Sequence, residues 1–385
     1  MRASRERLAS RDTERARFVL RHASCVLVGM TQARLASERS ASVVRPALSV
    51  APVPVQRSLV LRRFGGPESF ELVDSPLPSA GQGEVRVRVL AASVQFTDVL
   101  LRTGKYPDLK QKPPLVLGYD VVGEIDEVGP GVTGFQVGER VADLTVTGSY
   151  ARYRTLRADR VIRVPAHVDS AEAVALVLSW TTAYQLLHRL AHVRQGERAL
   201  VLGAAGAVGQ ALLALGAHAG LDMWGAARLE HFDRVRSLGA TPVDSNLERA
   251  GNLTNNGFDA VFDGIGERGF ESSWACVRRG GRLIGFGFSQ PILSGVSTLK
   301  LGYWLLRLQC WNLLPNGRSA KFYSITALRK DHPEWYLADL EKLFVLLSQG
   351  WIHPRIAERI GLSDVPEAHR RIEAGGLDGK IVICA

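Results

Sequence analysis

The chain has 385 residues, 46% hydrophobic and 22% charged, a size and balance that suit about two globular domains. No apolar run approaches the roughly 18 residues of a membrane span. Four scattered cysteines (Cys25, Cys276, Cys310, Cys384) form no CxxC pair, so a reducing compartment, the cytoplasm, is expected. The net charge of +10 is uneven: residues 1–57 hold 11 Arg, no Lys and 4 acids (+7), leaving +3 for the remainder, which argues against a nucleic-acid face on the folded body.

Residues 1–57 are rich in Arg, Ala and Ser, with one short helical stretch over 15–30 that Arg21 and His22 interrupt. Three readings stand. A transit peptide fits the Arg and Ser content, against the acids Glu6, Asp12, Glu14 and Glu38. A secretory signal lacks a long enough apolar core. A disordered Arg-rich extension, or a misassigned start, needs no further feature and is the expectation taken forward.

From Ser58 the texture changes to alternating apolar and polar residues in SLVLRRF, FELVDSPLP and GEVRVRVLAASVQF, punctuated by Gly and Pro. Further β segments at VVGEIDEVG, ERVADLTV, YARYRTL and VIRVP complete a β-rich domain over 58–172. Asp169 or Ser170 caps a long helix, AEAVALVLSWTTAYQLLHRLA, that opens a second domain over 173–317. There Ala199–Leu202 reads as a buried parallel strand and Gln210–Ala219 as a helix, joined by Ala204, Ala205, Gly206, Ala207, Val208 and Gly209. A strand, a small-residue turn and a helix start make a dinucleotide site, because free N–H groups point at a pyrophosphate. The fingerprint is degenerate, with Ala204 in place of its first glycine. Strands at LDMWGAA, Thr241–Val243, FDAVFDGIG and GGRLIGFG alternate with helices, as in a doubly wound parallel sheet. Beyond about Gln290 the pattern is irregular, until a helix at Tyr336–Gln349 and a last strand, Lys380–Ile383, expected to return to the first domain.

Taken in order, RTGKYPDL, PPLVLGYDVVGEIDEVGPGVTGFQVGERVA, GSYARY, SWTTAYQLL, VLGAAGAVGQ, FDAVFDGIG, GGRLIGFG and EAHRRIEAGGLDGKIVI resemble the medium-chain dehydrogenase/reductase superfamily, closest to its zinc-independent quinone oxidoreductase (zeta-crystallin-like) branch. The resemblance covers about 58–385. It implies an α/β architecture: a GroES-like β-rich catalytic domain completed by 318–385, with a Rossmann domain inserted. Zinc-dependent relatives carry Cys, His and a third ligand where this chain has Gln95, Tyr119 and Leu178. None of these is a usual zinc ligand, so no metal is expected and a zinc alcohol dehydrogenase is disfavoured. Quinone oxidoreductases carry Asn where Gln95 stands, and AAGGVG is here AAGAVG, with Ala207 adding a methyl.

The second strand ends Gly225-Ala226-Ala227-Arg228 with no acid, and His231 falls where relatives carry a phosphate-binding lysine. Arg228 suits a 2′-phosphate and favours NADPH; alternatively it is a solvated residue and Glu230 faces the ribose. The resemblance lines the nicotinamide end with Gln95, Tyr106, Thr182, Gly264, Phe286 and Gly287. Tyr106 also stands as a proton donor to a substrate carbonyl, or as ring packing alone. Asp98 is read as fixing a loop, and Asp263 as structural. Arg318, Tyr323 and Trp311 are candidates for the substrate side, with core or interface packing the favoured reading of the aromatics. The implied activity is NADPH-dependent reduction of quinones or α,β-unsaturated carbonyl compounds by a homodimer; the rival is a low-turnover NADPH-binding sensor or scaffold.

Overall fold

The computed structural model describes residues 55–107, 109–247 and 257–384. The expectations for the N-terminal segment up to residue 54 lie outside the described residues. β1 (Val55–Leu61) starts earlier than the expected Ser58, because Val55–Arg57 pair in register with β2 (Phe70–Pro76) and Arg57 meets Asp74 at 2.8 Å. β3 (Glu84–Val94) is the longest strand of this part, and α1 (Phe96–Arg102) follows it directly. β4 (Leu115–Val116) pairs with β1; then come β5 (Asp120–Val128), β6 (Arg140–Leu144), β7 (Tyr153–Arg157) and β8 (Ile162–Arg163).

Asp169 caps the long helix: its Oδ1 accepts from the amides of Ala171 (3.0 Å) and Glu172 (3.1 Å). The helix runs through α2 (Ser170–Ala175), a π turn (Leu176–Trp180), α3 (Thr181–Gln185) and a second π turn (Leu186–Leu190). Across the first wide turn the Thr181 hydroxyl donates to the Leu176 carbonyl at 2.9 Å.

The alternating part comprises β9 (Arg198–Leu202), α4 (Ala207–His218), β10 (Asp222–Ala227), α5 (Phe232–Ser237), β11 (Thr241–Asp244), β12 (Phe258–Asp263), α6 (Glu271–Ala275), β13 (Val277–Gly285), α7 (Ser289–Leu293), α8 (Thr298–Trp311) and β14 (Ser319–Phe322). Its six strands are all parallel, in the order β11-β10-β9-β12-β13-β14, the doubly wound arrangement. Ala199–Leu202 at its centre are buried, as an apolar run covered on both faces requires. The expected boundary at 317 falls too early, since β14 pairs with β13 and belongs to this sheet.

α8 contradicts the irregular pattern expected beyond Gln290. Its apolar residues run round the whole helix, with Leu299, Tyr303 and Leu306 exposed and Trp304 and Leu308 buried, so no 3.6-residue stripe marks it. α9 (Ile325–Asp331), α10 (Pro333–Ser348), β15 (Ile356–Ile360), α11 (Val365–Ala374) and β16 (Lys380–Cys384) follow. β16 pairs antiparallel with β3 and parallel with β15, within a seven-stranded sheet that also holds β5, β6, β7 and β8. The last strand thus returns to the first sheet, as expected. Among the described residues no helix is long and apolar enough to cross a membrane.

α11 carries His369, fully buried edge-on to Phe70 and Tyr150 with ring centroids 5.1 and 6.2 Å away. Burial, helped by the Arg102 cation, pushes its pKa down to about 3. An imidazole depressed below its unfolded value contributes stability that is complete above about pH 6.5 and is lost as pH falls toward 3. Chemical denaturation as a function of pH therefore shows an acid-side slope with a contribution of at most about 1.4 kcal/mol per pH unit from this group. His369→Phe, which keeps the ring contacts, flattens that slope.

Candidate active site

The turn after β9 is built on glycine geometry. Gly203 sits at φ 72°, and a Cβ on Gly209 would lie 2.3 Å from the Gly203 carbonyl oxygen and 2.8 Å from Ala204 Cα. Only glycine at position 209 lets α4 start this close to the strand. Gly206 caps α4 in an extended conformation (φ −75°, ψ 167°) with no side-chain acceptor, so the helix begins at Ala207 and Val208 with its amides turned outward. Ala204, in the place of the first fingerprint glycine, is fully buried and donates its N–H to the Ala226 carbonyl at 3.2 Å. Ala207 is exposed, so its extra methyl crowds nothing. Gly225 serves packing: a Cβ there would meet Val235 at 2.8 Å and Ala204 at 2.9 Å.

A cavity of about 610 Å³ opens over this turn. Gly203, Ala205, Gly206, Ala226, Ala227, Arg228, His231, Arg234, Ser245 and Asn246 line it, with Asp263, Ile265 and Glu267 on its other wall. The β10 end carries no carboxylate, as the sequence indicated. The Arg228 side chain is 63% exposed and meets Glu230 at 3.0 Å; His231 is held closer in, at 14%. Arg234 was not anticipated. Its Nη1 donates to the Leu377 carbonyl at 3.1 Å, and its Nε meets Asp378 at 2.8 Å, so α5 is fastened to the segment before β16. Asp263 ties its own turn: Oδ1 accepts from the amides of Ile265 (2.7 Å) and Gly266 (3.0 Å), and Oδ2 accepts from the Ser273 hydroxyl. That agrees with its structural reading.

Gln95, Tyr106, Thr182, Phe286, Gly264 and Gly287 do not line this cavity. A Cβ on Gly264 would fall 2.6 Å from the Phe286 ring, and one on Gly287 2.7 Å from the Gly264 carbonyl, so these three pack against one another. Tyr323 and Thr182 are both buried, and the Tyr323 hydroxyl donates to Gln185 Oε1 at 2.8 Å. Burial raises the Tyr323 pKa. Gln185 Nε2 donates in turn to Asp339 (3.0 Å), which pairs with Arg189 at 2.8 Å. Trp311 and Arg318, by contrast, belong to a packed stack. Trp311 lies on Trp274 (4.8 Å, 8° between planes), with Arg307 over Trp311 at 5.2 Å and Arg318 over Trp274 at 5.7 Å.

Where zinc-dependent relatives hold a metal, the side chains present do not form a metal-binding set. Gln95 spends both ends of its amide internally: Oε1 accepts from Lys380 Nζ at 2.8 Å, and Nε2 donates to Asp120 Oδ2 at 3.0 Å. Asp120 also accepts from the Ser93 amide (2.8 Å) and hydroxyl (2.5 Å), and Lys380 donates to the Ser93 hydroxyl at 3.2 Å. Leu178 offers no donor, and no group of three or more His, Cys, Asp or Glu suited to a metal occurs among the described residues. Asp98 accepts from the Gln95 amide at 3.1 Å and so caps α1, which fits its loop-fixing reading. Burial pushes the Lys380 pKa down and the Asp120 pKa up, each opposed by the other's charge. Burial and the Asp120 charge push the Asp98 pKa well above the ordinary carboxyl range. The sequence marked neither Lys380 nor Asp120. Their one signal is a lysine opening an otherwise apolar strand. Tyr106 is half-buried, and its hydroxyl lies 2.6 Å from that of Tyr119.

Residues 81–166 match the alcohol dehydrogenase GroES-like domain family, and 238–383 the zinc-binding dehydrogenase family. A quinone oxidoreductase of Pseudomonas aeruginosa is 30% identical over 328 residues, covering 83% of this chain and 97% of that protein. The chain belongs to the medium-chain dehydrogenase/reductase superfamily. A 2-haloacrylate reductase of a Burkholderia species is 28% identical over 340 residues, covering 84% of this chain and 97% of its own length. A mycobacterial protein solved in complex with NADPH superposes with a TM-score of 0.72 at 28% identity, covering 86% of this chain and all of that one. This superfamily member is an oxidoreductase of the zinc-independent branch, with a GroES-like domain and a Rossmann-like parallel sheet.

Breaking a buried ion pair from one side costs about 3–5 kcal/mol. Lys380→Met leaves Asp120 without its cation at 3.9 Å, and denaturant unfolding should register a loss of that order.

Proposed function

We propose that the chain reduces quinones or α,β-unsaturated carbonyl compounds with hydride from NADPH. The observation that carries this reading is the β10 end of the cavity, where the strand closes on Ala226 and Ala227 without an acid and Arg228 and His231 line the wall, while Glu230, which meets both at 3.0 and 3.4 Å, is not among the lining residues. The relatives reduce quinones or a haloacrylate by name, and a structural neighbour holds NADPH, which support the same reading.

When bound, the cofactor supplies the hydride. Ala205, Gly206, Ala207, Val208 and Gly209 would hold its pyrophosphate, Arg228 and His231 its 2′-phosphate, and Thr182, Phe286 and Gly287 would border its nicotinamide. Gln95 acts from behind, since both ends of its amide are already engaged. Tyr106 is the group that meets negative charge developing on a substrate oxygen. Quinones and enones spread that charge by conjugation, so one phenol suffices where a simple ketone needs a metal or a stronger acid. We propose further that the enzyme is a homodimer joined along β14, the edge strand of the parallel sheet.

Loss of reduced-nicotinamide absorbance, followed with ortho-quinones, para-quinones and enones, tests the reading; turnover should prefer NADPH over NADH and ignore EDTA. NADPH binding without turnover on any of them gives the place to a cofactor-binding sensor or scaffold. Arg228→Ala should weaken NADPH binding about tenfold and leave NADH binding unchanged. Equal losses for both cofactors would mean that Arg228 does not meet the phosphate. Light scattering of the eluting protein reports the dimer.

A further inference from the structure

Tyr119 stands where zinc-dependent relatives carry a histidine ligand, and the proposed reaction leaves its hydroxyl unused. We infer that Tyr119 is a positioning residue for proton delivery by Tyr106, donating its own hydroxyl proton into a hydrogen bond that leaves the Tyr106 proton for the substrate. The inference rests on the proposed role of Tyr106.

Tyr119 is the fixed member of the pair. It is fully buried, and its backbone carbonyl accepts from the amides of Thr145 (2.9 Å) and Val146 (3.1 Å). Gly118 before it adopts φ 107°, where a Cβ would stand 2.8 Å from the Tyr150 amide nitrogen, so the backbone is wedged into one path. Asp120 after it is anchored by Ser93, Gln95 and Lys380. Tyr106 is the more exposed member: it follows Gly104, at φ 70°, in the loop after α1 and is only half-buried. The rings meet edge to face, with centroids 5.8 Å apart at 83°, which aims one hydroxyl at the other at 2.6 Å.

A phenol has one proton and two lone pairs, so only one of the two hydroxyls donates across this contact. With Tyr119 as donor, the Tyr106 O–H points elsewhere. As the electrophilic carbon of the substrate accepts hydride, the carbonyl electron pair moves onto oxygen, and that oxygen takes the proton from Tyr106. The Tyr106 oxygen keeps the O–H electron pair as a phenolate, which the Tyr119 O–H now stabilises by a charge-assisted hydrogen bond. Solvent returns the proton to Tyr106 after product leaves. Hydride and proton together complete the two-electron reduction.

Tyr119→Phe removes one oxygen and keeps the edge-to-face ring. A hydrogen bond to a charged group contributes about 1.5–3 kcal/mol, so kcat should fall by roughly ten- to a hundredfold with KM nearly unchanged. Tyr106→Phe should fall further, and the double variant should be no slower than Tyr106→Phe alone. A second readout needs neither cofactor nor turnover. In apo protein carrying 13Cζ-tyrosine, Tyr119→Phe should shift the Tyr106 resonance, assigned with Tyr106→Phe, and leave that of Tyr323 in place. Normal kcat in Tyr119→Phe beside an impaired Tyr106→Phe overturns this inference and leaves the function standing. Losses that add in the double variant, or an unmoved Tyr106 resonance, overturn it too. Full activity in Tyr106→Phe overturns the proton-donor reading on which it rests.

Discussion

A buried ammonium organises the first half of this molecule. Removing the charge of Lys380 from water is costly, and the fold compensates by surrounding it with Gln95, Ser93 and Asp120. Those partners come from the end of β3, the cap of α1 and the start of β5, while the lysine opens β16. Each contact therefore sets one element against another. α1 leads through Gly104 to Tyr106, and Asp120 follows Tyr119 directly, so the spacing of the two phenols depends on how the cation holds its neighbours. Two carboxyls share one cation in a dry place, and burial together with the Asp120 charge raises the Asp98 pKa.

The second half depends on a contact between main chains. Gly209 brings the first turn of α4 against the Gly203 carbonyl, and Gly225 lets β10 lie under the same helix. The result is a helix start with open amides above a concave wall that bears Arg228 and His231. Arg234 then reaches from α5 to Leu377 and Asp378 beside β16. One short stretch near residue 380 thus serves both halves: Lys380 faces the polar core of the first sheet, and its predecessors fasten the rim of the cavity.

Legibility in the sequence depended on the kind of signal each part leaves. The strand-turn-helix at Ala199–Gly220 was readable because glycine spacing and an apolar run report backbone geometry directly. The parallel sheet was legible from alternation, and the return of the last strand from its apolar texture. α8 was not readable, since its residues are apolar on every side and periodicity carries no information there. The polar cluster was hidden for another reason. Gln95, Asp120 and Lys380 are far apart in the chain, and each looks ordinary alone; the pairing of β3 with β5 on one side and β16 on the other makes them neighbours. Gln95 shows the limit most clearly: the sequence placed it near the site, with no sign that both ends of its amide are taken. For Trp311 packing is the favoured reading, with the cleft as the alternative, and its stack with Trp274, Arg307 and Arg318 agrees with packing.

The separation of these parts along the chain has a consequence for biosynthesis. As the polypeptide leaves the ribosome, β3, α1 and β5 emerge long before residue 380, and they do so with Asp98 and Asp120 lacking their ammonium. The strands of the parallel sheet with its glycine turn are complete by β14. A nascent or truncated chain ending between β14 and β16 therefore has the strands of the parallel sheet but lacks both Lys380 for the polar core and the Leu377–Asp378 fastening of the cavity rim. Such a chain would present two acids at a site built to close around a cation, and the working geometry waits on residues 377–380.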